Sequence, residues 1–407
     1  AKVKITGHAS GSGVLTITAP NTSTDRTVTL PDSTGTLLDT TSGLDATKLS
    51  GTLPALNGAS LTGVAGRRNM IINGAMNVAQ RGTTFAAITD GAYSLDRWKF
   101  YNGSIGAYTV TQDSNGSDGF ANSLKIDCTT ADASPSANDY LILRYTFEGH
   151  DLQCLKKGTA SAESITFSFW VKSNKTGGLA VHLFDSDNSR GIGSAPTINS
   201  ADTWEKKTIT FAGDTTGAFN DDHSASLYID IWFDGGSTFT GGSTPTSWEA
   251  VADADRGAGT TLDLADSTSN YLNITGVQLE LGSVATDFEY RSHGEELQLC
   301  KRYFQTIGGS IANEPLCVFT VWSGPNNYGV LKFPVEMRGA PSSSTTGDTS
   351  WTLLSAAYTA ATTAVTVQSH TEKGVEMIFT RSGNFTNGAS GWVRGTTATK
   401  ISLSAEI

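Results

Sequence analysis

The chain has 407 residues, 38% of them hydrophobic and only 16% charged, with 44 glycines and a formal net charge of −11. That length exceeds the ~250–300 residues at which a single core stops growing, so two or three domains are expected. The acidic balance argues against a phosphate-backbone partner, no apolar run approaches the ~18–20 residues of a membrane helix, and the opening AKVKITGHAS lacks a signal-peptide core; neither nucleic-acid binding, membrane insertion nor Sec export is expected.

Residues 1–66 carry two short β-like stretches, 14–18 and 27–30, around the turn formers Pro20, Asn21 and Ser23. Leu49, Leu53, Leu56, Leu61 and Val64 then recur among Gly, Ser, Thr and Pro with neither a helical nor a strand period. Isolated two-stranded elements are marginal in water, so these leucines require neighbours from other chains. The expectation is an intertwined, fibrous segment of a homo-oligomer, against the alternative of a flexible Gly/Ser/Thr linker.

From 67 to about 290 the period of two dominates. Ile165, Phe167, Phe169 and Val171 alternate with polar or outward residues, as do Leu227, Ile229, Ile231 and Phe233; Leu141, Leu143, Tyr145 and Phe147; and Leu179, Val181 and Leu183. With stretches 98–101, 108–112, 124–128, 203–211 and 271–281 the total reaches about nine strands, the pattern of a β-sandwich or jelly roll. Such an architecture resembles that of carbohydrate-binding modules. The class is all-β.

Residues 273–304 form the joint between this region and a smaller C-terminal one. Val277, Leu279 and Leu281 share one face, whereas Leu272 and Ile274 hold the inward phase upstream, so the phase flips across Thr275 and Gly276 and predicts a β-bulge. Ser292 and Glu295 have capping-box spacing. A short linker helix is expected from there, with Leu297, Cys300 and Phe304 on one stripe and Gly308 and Gly309 ending it. Beyond it, stretches 318–322, 329–333, 365–368, 375–380 and 401–407 predict a smaller β domain. The expected division is 1–66, 67–292 and 293–407.

Several runs carry a resemblance. GVLTITAPNTSTDRTVTLPDSTGTLL, LSGTLPALNGASLTGV and RRNMIINGAMNVAQRGTTFAAITDGAYSLDRW, then ITGVQLELGSVATDFEYRSHGEELQLCKRYFQ and FPVEMRGAPS, resemble bacteriophage tail-fibre proteins. The resemblance implies a homotrimer located in the virion tail, joined to other tail or baseplate proteins through its N-terminal segment. It also implies distal domains that bind the bacterial surface, whose receptor is a polysaccharide or lipopolysaccharide.

The residues themselves nominate a site. Trp170, His182, Tyr228, Asp230 and Trp232 occupy the solvent phase of their strands, where aromatic rings suit the C–H patches of a pyranose and Asp230, His182 or Arg144 suit its hydroxyls. The competing reading is that another subunit, or segment 234–270, covers that face and makes these residues core. Trp248 is the expected anchor of this long segment, which is either functional or a clasp.

Catalysis is the minority expectation. The acid pairs Asp185/Asp187, Asp221/Asp222 and Asp253/Asp255 are sequence neighbours, whereas glycoside hydrolysis needs two carboxylates facing each other across a cleft. A polysaccharide depolymerase and a structural spacer without a receptor therefore stand as alternatives to a non-enzymatic binding fibre. The run from Asp185 to Gly191 begins like a calcium loop but has Arg190 where the EF-hand glycine belongs; no cofactor is expected beyond a structural calcium of another type. Cys128, Cys154, Cys300 and Cys317 read as packed thiols, with a Cys300–Cys317 disulfide as the alternative.

Overall fold

In a computed structural model, residues 68–309, 311–356, 359–384, 386–397 and 399–407 are described; the expected fibrous segment 1–66 lies outside them. The described residues fall within one compact body, residues 61–407. It is all-β, and the described residues form two large hydrophobic cores and a small third cluster of Ile142, Ala180 and Trp232, against which Tyr101, Tyr140 and Phe239 pack.

The first core is a sandwich. Its strands are β1 (Thr84–Phe85), β2 (Ala92–Tyr93), β3 (Lys99–Asn102), β4 (Ala107–Asp113), β5 (Ser123–Thr130), β6 (Tyr140–Glu148), β7 (Ile165–Ser173) and β8 (Gly177–Gly178). Further along lie β9 (Ala180–Asp185), β10 (Arg190–Ser194), β11 (Thr197–Ile198), β12 (Glu205–Phe211), β13 (Ala225–Gly235), β14 (Glu249–Ala250) and β15 (Tyr271–Leu281). Two one-turn helices, α1 (Ser237–Thr240) and α2 (Asp253–Arg256), punctuate the long connection from β13 to β15. One sheet runs β1-β4-β5-β15-β7-β12 and the other β14-β10-β9-β13-β6-β3-β2. The alternation explains the pairing of faces: Phe167, Phe169 and Val171 of the first sheet and Leu143, Val181, Ile229 and Ile231 of the second are buried in a common core.

β15 lies between β5 and β7, so nearly all of it is buried. Its register against β7 shifts between Thr275 and Gln278, and Gly276 has φ +59°. A Cβ there would stand 2.6 Å from the Phe120 ring and 2.9 Å from Trp170, so the phase flip rests on a residue without one. The polar outward residues are satisfied by a segment folded over them: Thr286 Oγ1 donates to Glu280 Oε2 at 2.6 Å and Glu289 N to Gln278 Oε1 at 2.9 Å.

Helix α3 (His293–Lys301) begins at Ser292, whose side chain accepts from Glu295 N at 3.3 Å. It is shorter than expected. Phe304 is not helical but opens β16 (Phe304–Ile307), and Gly308 and Gly309, at φ +84° and +81°, end that strand instead. Cys300 and Phe304 are buried within the single chain and Leu297 is half-buried.

The second core is built from β17 (Glu314–Ser323), β18 (Asn326–Lys332), β19 (Ser342–Thr346), β20 (Thr352–Leu354), β21 (Thr359–Ala361), β22 (Ala364–Thr371), β23 (Gly374–Thr380), β24 (Ser390–Gly395) and β25 (Lys400–Ser404). With β16 they make a β16-β25-β19 sheet and a β21-β20-β24-β17-β18-β23-β22 sheet around Phe319, Trp351, Met377, Phe379 and Leu403. The outer face of the larger sheet leaves Val318, Trp322, Val330 and Trp392 more than half exposed.

A charged seam joins the two cores. Glu406 accepts from Arg81 Nη2 at 3.0 Å and from Arg97 Nη1, and its side chain is 3% exposed. The Arg97 guanidinium lies 3.4 Å from the Tyr303 ring centroid. Arg302 reaches Glu148 at 2.9 Å. All four cysteines are free. Cys154 is exposed rather than packed, because it lies on the 3₁₀ turn Gly149–Leu155 at the surface.

Candidate functional site

Strand register gathers most of the nominated residues onto the outer face of the seven-stranded sandwich sheet. Asp230 of β13 stands beside His182 of β9 on one side and Arg144 of β6 on the other, and Arg144 pairs in turn with Lys99 of β3. A parallel row runs from Ala180 through Trp232 and Ile142 to Tyr101, and a third joins Phe184 to Tyr228. Successive residues alternate faces, so these rows arise from the same pattern that buries Ile229 and Ile231.

The charges on this face are organised around one fork. Arg144 Nε donates to Asp230 Oδ1 at 2.5 Å and Nη2 to Oδ2 at 2.7 Å. The guanidinium carbon is 4.8 Å from the Tyr101 ring centroid and 4.5 Å from that of Tyr228, so the cation is held between two rings. Asp230 is fully buried. Burial alone would raise its pKa, but Arg144 outweighs that and holds it below the usual carboxylate range.

Segment 236–258 covers part of the face. Helices α1 and α2 bring Phe239 and Arg256 over Trp232, whose ring centroid is 5.4 Å from that of Phe239. Trp232, His182 and Asp230 are consequently buried, not solvent-facing as their strand phase implies: the chain's own loop supplies the cover. What remains open is a pocket of about 210 Å³ lined by Tyr101, Tyr140, Ile142, Arg144, Trp232, Phe239 and Arg256. Tyr228 is half-buried on the far side of Arg144.

His182 lies under this cover beside Asp230. Its Nδ1 has no hydrogen-bond partner among the described residues, and the ring lies so close to β10 that a Cβ on Gly191 would be 2.5 Å from Nε2. Burial pushes its pKa down to about 4, opposed by Asp230 and assisted by Arg256 and Arg144. With a depressed folded-state value, this histidine's contribution to stability is present above pH ~6.5 and is lost as pH falls toward 4. Unfolding free energy should therefore drop by about 2–3 kcal/mol over that interval through this group. His182→Leu should flatten that limb in urea titrations; an unchanged slope would assign the limb to other groups.

Two nominated residues lie elsewhere. Trp170 is on β7 of the opposite sheet, half-buried beside Phe120 and the Gly276 bulge. Trp248 sits at the sandwich edge, where Nε1 donates to Ala212 O at 2.7 Å and its carbonyl accepts from Arg190 at 2.9 Å. It anchors segment 234–270 locally. The residues missed by sequence reasoning are Tyr101, Tyr140, Phe239 and Arg256. Tyr101 was legible, being outward where Phe100 is inward, whereas Phe239 and Arg256 lie in a segment with no period.

The acid pairs do not form a facing dyad. Asp185 is fully buried against Lys157 Nζ at 2.6 Å and accepts from Asp187 N and Asn188 N. Asp221 contacts His150 at 2.5 Å, and Asp253 contacts Arg256 at 3.4 Å. Among the described residues no group of acidic, histidine and cysteine side chains is arranged to hold a metal ion.

No family model matches the chain. No curated protein matches it either. Similar solved structures include a CBM4 module at 14% identity and TM-score 0.27, covering 51% of this chain and 97% of that one. A family 11 carbohydrate-binding module from Clostridium thermocellum, in complex with a β-1,3-1,4-mixed-linked tetrasaccharide, matches at 12% identity and TM-score 0.25, covering 50% and 97%. The enzymatically active domain of tailspike protein 4 of bacteriophage CBA120 matches at 11% and 0.26, covering 48% of this chain and 21% of that one. At these identities and scores no ligand or activity carries over.

Proposed function

We propose that the protein is a non-enzymatic, homotrimeric tail fibre that attaches a virion to a bacterium by binding a surface glycan on the outer face of the seven-stranded sandwich sheet. The observation that carries this reading is the open pocket in which Tyr101, Tyr140 and Phe239 flank the donors Arg144 and Arg256. Aromatic faces accept the C–H side of a pyranose, and a few fixed polar groups orient its hydroxyls. A pocket of about 210 Å³ is smaller than the ~300–1,000 Å³ typical of drug-sized ligands, which suits one sugar of a longer chain.

Binding without hydrolysis is favoured by the lining, which includes two guanidiniums and no carboxylate, Asp230 being sealed beneath. The tail-fibre likeness of the residue runs supports the virion setting. Support for a trimer comes from the exposed Val318, Trp322, Val330 and Trp392 on neighbouring strands β17, β18 and β24, apolar surface of the kind that marks an interaction site; light scattering of the purified chain measures it directly.

Substituting Tyr101 and Tyr140 together with alanine is expected to weaken adsorption of the protein to host cells and glycan affinity at least tenfold, the scale of losing aromatic anchors, while thermal unfolding stays cooperative. Unchanged adsorption by the folded double variant would refute the assignment. Competition by the soluble wild-type chain against virion adsorption separates an attachment fibre from a spacer.

A further inference from the structure

We propose that this pocket selects a sugar bearing a carboxylate, with Arg256 as the residue that recognises the charge; the inference rests on the glycan-binding reading above. Two guanidiniums line the pocket, and the one carboxylate beneath them, Asp230, is committed to Arg144 through both of its oxygens at 2.5 and 2.7 Å. Arg256 is left with loose contacts. Its nearest carboxylate oxygens are Asp230 Oδ2 at 3.6 Å and Asp253 Oδ1 at 3.4 Å, both beyond the roughly 2.7–2.9 Å of a charge-assisted hydrogen bond. Its Nε has no hydrogen-bond partner among the described residues.

The surroundings keep that cation from being neutralised cheaply. The Arg256 side chain is only 20% exposed, with its guanidinium 5.8 Å from the Trp232 ring centroid and 5.7 Å from that of Phe184. Asp253 is 65% exposed on the same short helix, so solvent screens its charge. At the rim, Lys99 Nζ lies 5.2 Å from the Tyr101 ring centroid and adds positive charge, while Asp90 contacts the Tyr140 hydroxyl at 3.5 Å. The floor therefore carries one more cation than anion in a partly desolvated setting, on a chain whose net charge is −11. A guanidinium presents a planar fork that matches a carboxylate in two parallel hydrogen bonds, which a lone hydroxyl does not.

The test uses the full chain and a defined panel: polygalacturonate, polyglucuronate and polymannuronate, the carboxyl-reduced counterpart of each, and a sulfated galactan, titrated calorimetrically at low and physiological salt. At least one uronate polymer should bind tenfold or more tighter than its reduced counterpart, and the difference should shrink with salt. In Arg256→Gln the affinities for the uronate polymer and its reduced counterpart should become equal, the readout being their ratio, because Arg256 also lines the pocket that the reduced polymer would enter. Binding confined to neutral or sulfated members overturns the inference and leaves the glycan-binding reading standing. Failure to bind every member counts against that reading as well. A uronate preference that survives in Arg256→Gln overturns the assignment to this residue.

Discussion

Replacing Glu406 with alanine is expected to lower the unfolding free energy by about 3–5 kcal/mol, the scale for stranding one partner of a buried ion pair. Glu406 is the carboxylate for Arg97, whose own side chain is 1% exposed, and it also accepts from Arg81. Without it the Arg97 guanidinium keeps the Tyr303 face at 3.4 Å and the Thr146 carbonyl at 2.6 Å but has no counter-charge. Taking an unpaired cation out of water is the expensive step. Replacing Arg97 with methionine and Glu406 with leucine in one chain should recover most of the loss, because it removes both charges. Denaturant titration of the three chains decides it: a drop below about 1 kcal/mol in the alanine variant would mean that water or another acid relieves Arg97.

Asp230→Ala should have an effect of similar size on the sandwich and a larger one on the pocket. Arg144 would remain between Tyr101 and Tyr228 with two donors unmatched, and Arg256 and His182 would lose the same neighbour. A loss of about 3–5 kcal/mol is expected, together with loss of glycan binding in whatever fraction stays folded. The double change Arg144→Met with Asp230→Leu separates the two effects, since it should restore stability without restoring binding. A double variant that binds as well as the wild type would show the fork to be a structural element only.

The all-β class, the long sandwich strands and the Gly276 bulge were legible because they rest on local alternation, which is written residue by residue. The common face of His182, Tyr228, Asp230 and Trp232 was legible for the same reason, since period and phase survive folding. Which sheet a strand joins is not set by its own residues. β7 alternates as cleanly as β13, yet it pairs with β15 and β12, and that non-local choice carries Trp170 to the far side of the sandwich. The cover over Trp232 was legible only as a segment too long to be idle. In the second core, β19, β20, β21 and β24 went unread because strands such as Ser342–Thr346 and Ser390–Gly395 are rich in Ser, Thr or Gly, where pairing with neighbours rather than apolar content makes the strand. Helix α3 was read nearly two turns too long, to Gly308 instead of Lys301, because Phe304 fits a helical stripe and a buried strand equally well.

The two walls of the pocket have different origins. One wall is set by strand register, and moving any of its residues would shift a whole row and with it the sandwich core. The other is supplied by segment 236–258, which contributes Phe239 and Arg256 from two one-turn helices and is tied down separately by Trp248. Exchange of that segment would alter what the pocket admits and would cost the sheet its two-residue edge strand β14, while the central strands beneath keep their pairing. The fold thereby separates the part of the surface that must persist from the part that is free to diversify.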